Sequence, residues 1–115
     1  MENMVVFDFD GVIHSFFTPF QENGIIPDKP VEGIREEIQR IRKAGYKVIV
    51  VSARMSTVVG YNAIVQYLKD NNIEVDGVMR EKPPAIAYID DRAIRFNGKS
   101  EGLLENIQNL KVWNR

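Results

Sequence analysis

"MVVFDFDGV", residues 4–12, is an apolar run that ends in two aspartates and a glycine. An unbroken apolar run of this length is typical of a strand that is covered on both faces of a parallel sheet. The run therefore predicts a buried strand over residues 4–10. Asp8 and Asp10 fall at its carboxyl end, so the strand either turns into solvent there or delivers a pair of carboxylates to a site.

The chain of 115 residues has the length of one domain, and such a domain is large enough to bury a substantial core. Its 15 Lys and Arg residues against 16 Asp and Glu residues leave a net charge of -1, which argues against non-specific binding to nucleic acid or to a membrane surface. The absence of cysteine excludes disulfides and thiolate metal sites. No apolar run approaches the roughly 20 residues of a membrane span, so we expect no membrane partner and a cytoplasmic location.

Strand and helix patterns alternate along the rest of the chain. An irregular segment rich in Gly, Pro and aromatic residues follows the first strand, and we interpret residues 11–27 as a flap. A helix is predicted to begin near Asp28 or Lys29, with Pro30 in its first turn, and to end at Gly45. The further predictions are strands over 46–52, 75–79 and 85–90, a helix over 57–72, a fifth strand or hairpin arm over 93–98, and a last helix capped by Ser100. Apolar positions at helical spacing are predicted to face the core in the three helices: Val31, Ile34, Ile38 and Ile41; Val59, Ala63, Tyr67 and Leu68; Leu103, Leu104, Ile107 and Leu110.

This alternation predicts an α/β fold, a single-domain three-layer Rossmann-like arrangement with a mainly parallel central sheet and right-handed connections. Ligands of such sheets bind at the carboxyl ends of the strands, where the strand order reverses. The residues that follow each predicted strand are therefore the candidates for a functional site.

Those residues share one kind of chemistry. Two aspartates follow the first strand, a hydroxyl and an arginine follow the second, and a lysine lies between the third and fourth. The fourth strand ends in a second acidic pair, so the full set is Asp8, Asp10, Ser52, Arg54, Lys82, Asp90 and Asp91. Each group has a physical role if the ligand is a phosphomonoester, because carboxylates hold Mg²⁺, a lysine offsets phosphate charge, and helix-start amides with a hydroxyl bind phosphate oxygens.

A mechanism follows from the same groups. An aspartate can attack phosphorus and form an acyl phosphate, and a second one can protonate the leaving oxygen and then activate water. Asp8 and Asp90 supply carboxylates for Mg²⁺, with the backbone carbonyl of Asp10 as a further ligand. The candidate phosphate-binding positions are Ser52, the backbone at Ala53 and Arg54, and Gly11.

The motifs "DFDGV", "VIVVSAR", "KP" and "YIDD" occur in the order found in the haloacid dehalogenase (HAD) superfamily of phosphohydrolases, and the chain resembles that family from Asp8 to Asp90. The resemblance implies that Asp8 is the nucleophile, Asp10 the general acid and base, and Ser52 the phosphate ligand. It further implies that Lys82 stabilises charge and that Asp90 and Asp91 form the acidic pair on the Mg²⁺ side. Asp91 is left open between metal binding, directly or through water, and a contact that holds Lys82.

The same comparison narrows the reaction, because a second aspartate at Asp10 is typical of the phosphatases and phosphotransferases of this family and not of its dehalogenases. The segments between the motifs are too short for a cap domain, so the resemblance implies a small capless member. An open site suits a bulky substrate or a lid from a neighbouring subunit of a homo-oligomer. We expect a phosphorylated small molecule as substrate more than a macromolecule.

Two other interpretations stay open. A receiver domain of two-component signalling has similar length and an acidic Mg²⁺ site, but its lysine comes last in the chain, whereas Lys82 precedes Asp90. A binding or scaffold protein on an inert phosphatase fold would be expected to lack the nucleophile, the acid or the lysine. Single residues have plain alternatives as well: Arg54 suits a leaving-group contact or an ordinary ion pair, His14 a substrate contact or flap packing, and Trp113 packing of the C-terminal tail.

Overall fold

All four strands of the computed structural model, which describes residues 3–115, run parallel in one sheet with the order β3-β2-β1-β4. The strands are β1 (Met4–Asp8), β2 (Lys47–Val51), β3 (Gly77–Met79) and β4 (Ala87–Ile89), and the helices are α1 (Ile34–Lys43), α2 (Val58–Asp70) and α3 (Leu103–Gln108). A short 3₁₀ helix, Ala53–Ser56, lies between β2 and α2. The predicted α/β fold with a parallel sheet in a single small domain is confirmed. The strand order is that of the classic Rossmann sheet and differs from the 2-1-3 order of flavodoxin-like folds.

The sheet buries different residues on its two faces because side chains alternate along a strand. The larger core lies on the face shared by α1 and α2, where Phe7 and Val50 pack with Ile38 of α1 and Ile64 of α2. The opposite face holds a smaller cluster around Val6, Ile49 and Ala85. Ala85 belongs to the irregular segment that precedes β4, so this cluster includes a contact from chain without regular structure.

The first helix begins later than predicted, since Pro30 lies outside it and Ile34 is its first residue. The segment before the helix is engaged elsewhere: Val31 N–H donates to the Ile13 carbonyl at 2.7 Å, and Pro30 forms an isolated bridge with His14. Gly33, with φ 79°, then turns the chain into the helix. A pairing with the 13–14 segment thus replaces the predicted first turn.

The second helix has the predicted extent within two residues, but one predicted core contact is wrong. Tyr67 and Leu68 are buried as expected, whereas Val59 is 63% exposed. The buried face runs through Gly60 and Ile64 instead. Thr57 begins the helix by accepting a hydrogen bond from Gly60 N–H at 3.0 Å, and this start sets Val59 on the outer side.

The C-terminal third departs most from the predictions. Residues 93–98 form no strand, and none of the described backbone hydrogen bonds joins them to β4. The last helix is six residues long and follows Gly102 in the left-handed conformation, so Ser100 is not its side-chain cap. Leu104, Ile107 and Leu110 are exposed and do not belong to the core, contrary to expectation. Within residues 3–115, no helix combines the length and apolar character that crossing a bilayer needs.

Candidate functional site

Two acidic strand ends lie side by side at the point where the strand order reverses. β1 pairs with β2 on one side and with β4 on the other, and Phe7 is in register with Ile89. Asp8 is the last residue of β1, and Asp90 and Asp91 directly follow β4. The register therefore brings Asp8 next to Asp90. This is the crevice in which open α/β sheets bind ligands.

Three carboxylates come together there. One oxygen from each of Asp8, Asp90 and Asp91 lies within 4.8 Å of the other two. Burial, followed by the neighbouring Asp90 carboxylate, raises the pKa of Asp8 to about 7. Burial also raises the pKa of Asp91, and Asp90 adds to that effect. Like charges at this separation oppose one another, so the cluster is electrostatically unfavourable without a cation.

One oxygen of the cluster has no partner at all. Oδ2 of Asp91 is buried and accepts no hydrogen bond from the described residues. Gly11, whose φ is +83°, lies against this carboxylate, and a Cβ there would overlap Oδ2 of Asp91. The missing partner, the crowded charges and the all-oxygen donor set fit a hard divalent cation, which takes carboxylate oxygens and keeps several waters.

A cavity adjoins this cluster, and we call it the Asp8 cavity. It has a volume of about 180 Å³ and is lined by nine residues, namely Val6, Asp8, Val51, Ser52, Ala53, Lys82, Tyr88, Ile89 and Asp90. The cavity thus collects four groups that the sequence analysis selected for phosphate chemistry, along with the backbone of Ala53. Its volume is several times the roughly 30 Å³ that one water takes in the liquid.

Ser52 and Lys82 differ in how they are held. Ser52 is buried at the start of the 3₁₀ helix, and its Oγ accepts a hydrogen bond from Arg54 N–H at 3.2 Å. Lys82 is exposed, its Nζ lies 4.9 Å from the centre of the Tyr88 ring, and it forms no ion pair with a carboxylate of the described chain. The alternative in which Asp91 holds Lys82 is therefore not seen.

Asp10 points to a different set of partners. Its Oδ1 lies 2.8 Å from Nδ1 of His14, and its Oδ2 accepts a hydrogen bond from Nε of Arg54 at 2.7 Å. Burial acts to raise the pKa of Asp10, but the hydrogen bonds from His14 and then Arg54 outweigh it and bring that pKa below its usual range. Both carboxylate oxygens are thus occupied outside the three-carboxylate cluster, which leaves only the backbone of Asp10 for a metal.

The sequence analysis left His14 open between a substrate contact and flap packing, and the structure favours packing. It is fully buried rather than facing substrate, and its Nε2 accepts a hydrogen bond from Asp28 N–H at 3.2 Å. Because Nε2 is the acceptor, Nδ1 carries the proton and donates to Asp10. Tyr67 stacks its edge on the imidazole and donates its hydroxyl to the Asp28 carbonyl at 2.9 Å. The spacing of Asp10 and His14, four residues apart in a glycine turn, was the available signal for this contact.

The C-terminal tail reaches the same turn. Trp113 Nε1 donates to the carbonyl of Gly11 at 2.7 Å, and its ring meets that of Phe17 edge to face. Asn114 donates to the carbonyl of Ser15 at 2.9 Å. Trp113 therefore packs on the turn that carries Asp10, a contact between residues about a hundred positions apart that no local pattern could reveal.

No protein-family model matches the chain, and none of the curated proteins matches it. Among solved structures, the chain is similar to the crystal structure of an MCSG target from Vibrio cholerae. The TM-score is 0.53 at 22% sequence identity, and the match covers 93% of this chain and 94% of that one. At this identity the likeness concerns the fold alone, and it supports the α/β assignment.

Proposed function

We propose that this protein is a Mg²⁺-dependent phosphomonoester hydrolase that works through a covalent phosphoryl intermediate on Asp8. The observation that carries the proposal is the meeting of Asp8, Asp90 and Asp91 at the reversal point of the sheet, beside a cavity lined by Ser52 and Lys82. Acidic clusters are common on proteins, but this one combines a buried oxygen without a partner with a phosphate-type donor set next to it. The motif resemblance to the HAD superfamily agrees with this assignment.

Asp8, Asp90 and Asp91 would hold the cation, with the backbone carbonyl of Asp10 as a further ligand. Mg²⁺ bound there would neutralise the negative charge that otherwise keeps a phosphate dianion away from a carboxylate nucleophile. Lys82 adds positive charge on the other side of the cavity, and the Oγ of Ser52 supplies a hydrogen bond to a phosphoryl oxygen. These electrostatic contributions account for most of the catalysis in phosphoryl transfer.

The reaction divides into two displacements. In the first, an Asp8 carboxylate oxygen bonds to phosphorus, the bond from phosphorus to the ester oxygen breaks, and Asp10 gives its proton to that leaving oxygen. In the second, Asp10 takes a proton from water as the water oxygen attacks phosphorus, and the bond to Asp8 breaks to release orthophosphate. The hydrogen bonds from His14 and Arg54 favour ionised Asp10, so they assist the second displacement and oppose the first, in which Asp10 must carry a proton.

The alternatives differ in what they require of these residues. A scaffold protein has no use for a half-buried carboxylate and a lysine at one cavity, with a hydrogen-bonded acid at the adjoining one. A receiver domain is disfavoured by the strand order, which is not the 2-1-3 order of flavodoxin-like sheets.

A phosphatase assay tests the proposal. Hydrolysis of a panel of phosphomonoesters is measured with Mg²⁺ and with EDTA, in the wild type and in the Asp8→Asn and Asp10→Asn variants. We expect Mg²⁺-dependent turnover that Asp8→Asn abolishes and Asp10→Asn lowers by about a hundredfold or more, the range usual for loss of an acid-base group. We also expect Asp10→Asn to retain Mg²⁺ binding in calorimetry. Turnover that persists in the Asp8→Asn variant, or that EDTA does not reduce, would contradict the mechanism.

A further inference from the structure

A second cavity opens beside the first one and begins at Asp10. This cavity, which we call the Arg54 pocket, has a volume of about 390 Å³ and is lined by Asp10, Phe20, Ala53, Arg54, Ser56 and Thr57. Ala53 lines both cavities, so they adjoin at this residue. With a phosphoryl group in the Asp8 cavity and Asp10 beside the leaving oxygen, the Arg54 pocket lies where the alcohol portion of the substrate would extend.

The guanidinium of Arg54 is buried with most of its donors unused. The side chain is 4% exposed, and only Nε has a partner, the Oδ2 of Asp10 at 2.7 Å. Nη1 and Nη2 are buried and have no hydrogen-bond acceptor anywhere in residues 3–115. Leaving a buried donor unpaired costs about 1–3 kcal/mol, and more for a charged group. A structural role toward Asp10 explains Nε but gives no reason for the two outer nitrogens.

The surroundings of these nitrogens favour an oxyanion that presents two acceptor oxygens side by side. A carboxylate or a phosphate accepts two parallel hydrogen bonds from the outer edge of a guanidinium, and such charge-assisted pairs are the strong ones. Phe20 lies over the guanidinium at 4.8 Å and Phe16 at 6.0 Å, which keeps water from competing for it. The Phe20 ring is 55% exposed and belongs to a segment without helix or strand. Its displacement would open the way to Nη1 and Nη2.

We infer that the substrate is a phosphomonoester whose alcohol portion carries a second oxyanion, and that Nη1 and Nη2 of Arg54 bind that group. This inference rests on the proposed phosphatase function and adds the class of substrate to it. The two sources of such an oxyanion, a carboxylate and a second phosphate, present the same acceptor edge to Arg54. Ser56 and Thr57, which carry hydroxyl groups, also line this pocket.

The test uses simple alkyl phosphates of increasing chain length, each compared with its ω-carboxy and ω-phospho derivatives. The measured quantity is the ratio of kcat/KM for a derivative to kcat/KM for its parent. We expect a ratio of at least about tenfold at the best chain length in the wild type, equivalent to about 1.4 kcal/mol. The ω-carboxy and ω-phospho arms then show which oxyanion the pocket prefers.

Substitution of Arg54 assigns the preference. Arg54→Gln lowers the rate with every substrate because Arg54 also contacts Asp10, but the ratio is independent of that loss and should fall to about one. Arg54→Lys keeps the charge without the planar fork, and we expect an intermediate ratio. Arg40→Gln on the exposed surface of α1 removes the same charge far from the pocket and should retain the wild-type ratio.

The outcomes separate the two proposals. A ratio near one at every chain length in the wild type, or a preference that survives Arg54→Gln, would overturn the inference and leave the phosphatase function standing. Turnover of no substrate would overturn the phosphatase function. In that case calorimetry with alkylphosphonates and their ω-carboxy derivatives decides the inference, because equal affinities for the two would overturn it as well.

Discussion

His14 donates from Nδ1 to Oδ1 of Asp10 across 2.8 Å, and the backbone amide of Asp28 holds the other ring nitrogen as an acceptor. The only histidine of the chain is thereby fixed in one tautomer beside the proposed acid-base residue. Because it is fully buried and contacts Asp10, the proposed mechanism makes it a positioning residue.

Replacing His14 tests this role. His14→Leu removes the donor to Asp10, and we expect kcat to fall about tenfold or more with little change in KM, because acid-base groups work only in the correct orientation. His14→Asn places an amide N–H near the former Nδ1 and should retain more activity. Steady-state kinetics with thermal melting checks this, and equal losses in two equally folded variants would contradict the positioning role.

The crowding of Asp8, Asp90 and Asp91 predicts a conflict between stability and metal binding. We expect Asp91→Asn to raise the melting temperature in EDTA, since it removes a like charge, by about 4–8 °C for each 1 kcal/mol of repulsion removed. The same variant should lose most of the stabilisation that Mg²⁺ confers on the wild type. Glu101→Gln, an equal charge change at an exposed position, is the control. A wild-type melting temperature that does not change when millimolar Mg²⁺ is added would contradict a cation site at this cluster.

An ion pair far from the site predicts a pH dependence of stability. Hydrogen bonds from Arg42 lower the pKa of Asp76, burial opposes them, and the Val48 amide adds to the lowering. A carboxyl whose pKa is lower in the folded state stabilises the fold above its unfolded pKa of about 3.9, and this stabilisation is lost as pH falls through the folded pKa.

We therefore expect Asp76→Ala to cost about 1–2 kcal/mol at neutral pH, from two lost hydrogen-bonding partners, and progressively less below about pH 4. Asp76→Asn retains an acceptor for the Val48 amide and should cost less. Urea unfolding at about pH 7, 5 and 3 measures the difference in the free energy of unfolding between each variant and the wild type. A difference that is independent of pH would show that the charge of Asp76 contributes nothing.

Gly60 predicts an unusual response to alanine. Within a helix, replacing glycine by alanine normally stabilises by about 1 kcal/mol. Here a Cβ at position 60 would overlap the backbone carbonyl of Arg54, so we expect Gly60→Ala to destabilise by about 1–3 kcal/mol and to reduce turnover by shifting Arg54 from Asp10. Asn62→Ala on the exposed side of α2 is the control and should be neutral or stabilising. A Gly60→Ala protein with wild-type stability and activity would contradict this.

Much of the fold was predictable because its signals are local. The apolar runs ending at Asp8 and Val51 predict buried strands. Because helices alternate with the strands, the sheet is expected to be parallel. One error occurs where a partner far along the chain overrides local preference, because Pro30 pairs with His14 instead of starting a helix. In another, residues 93–98 have strand-like alternation but do not pair with the outer edge of β4, the edge strand of the described sheet.

The amino-acid order alone determined that acidic groups, a hydroxyl and a lysine would follow successive strands, because parallel strands deliver their carboxyl ends to one edge. Only the tertiary structure decided what each group contacts there. Oδ2 of Asp91 is left without a partner, Asp10 turns to His14 and Arg54, and two nitrogens of Arg54 face no acceptor. The reason is physical: strand ends follow from periodicity within a few residues, whereas burial and hydrogen-bond partners depend on packing between segments far apart in the chain.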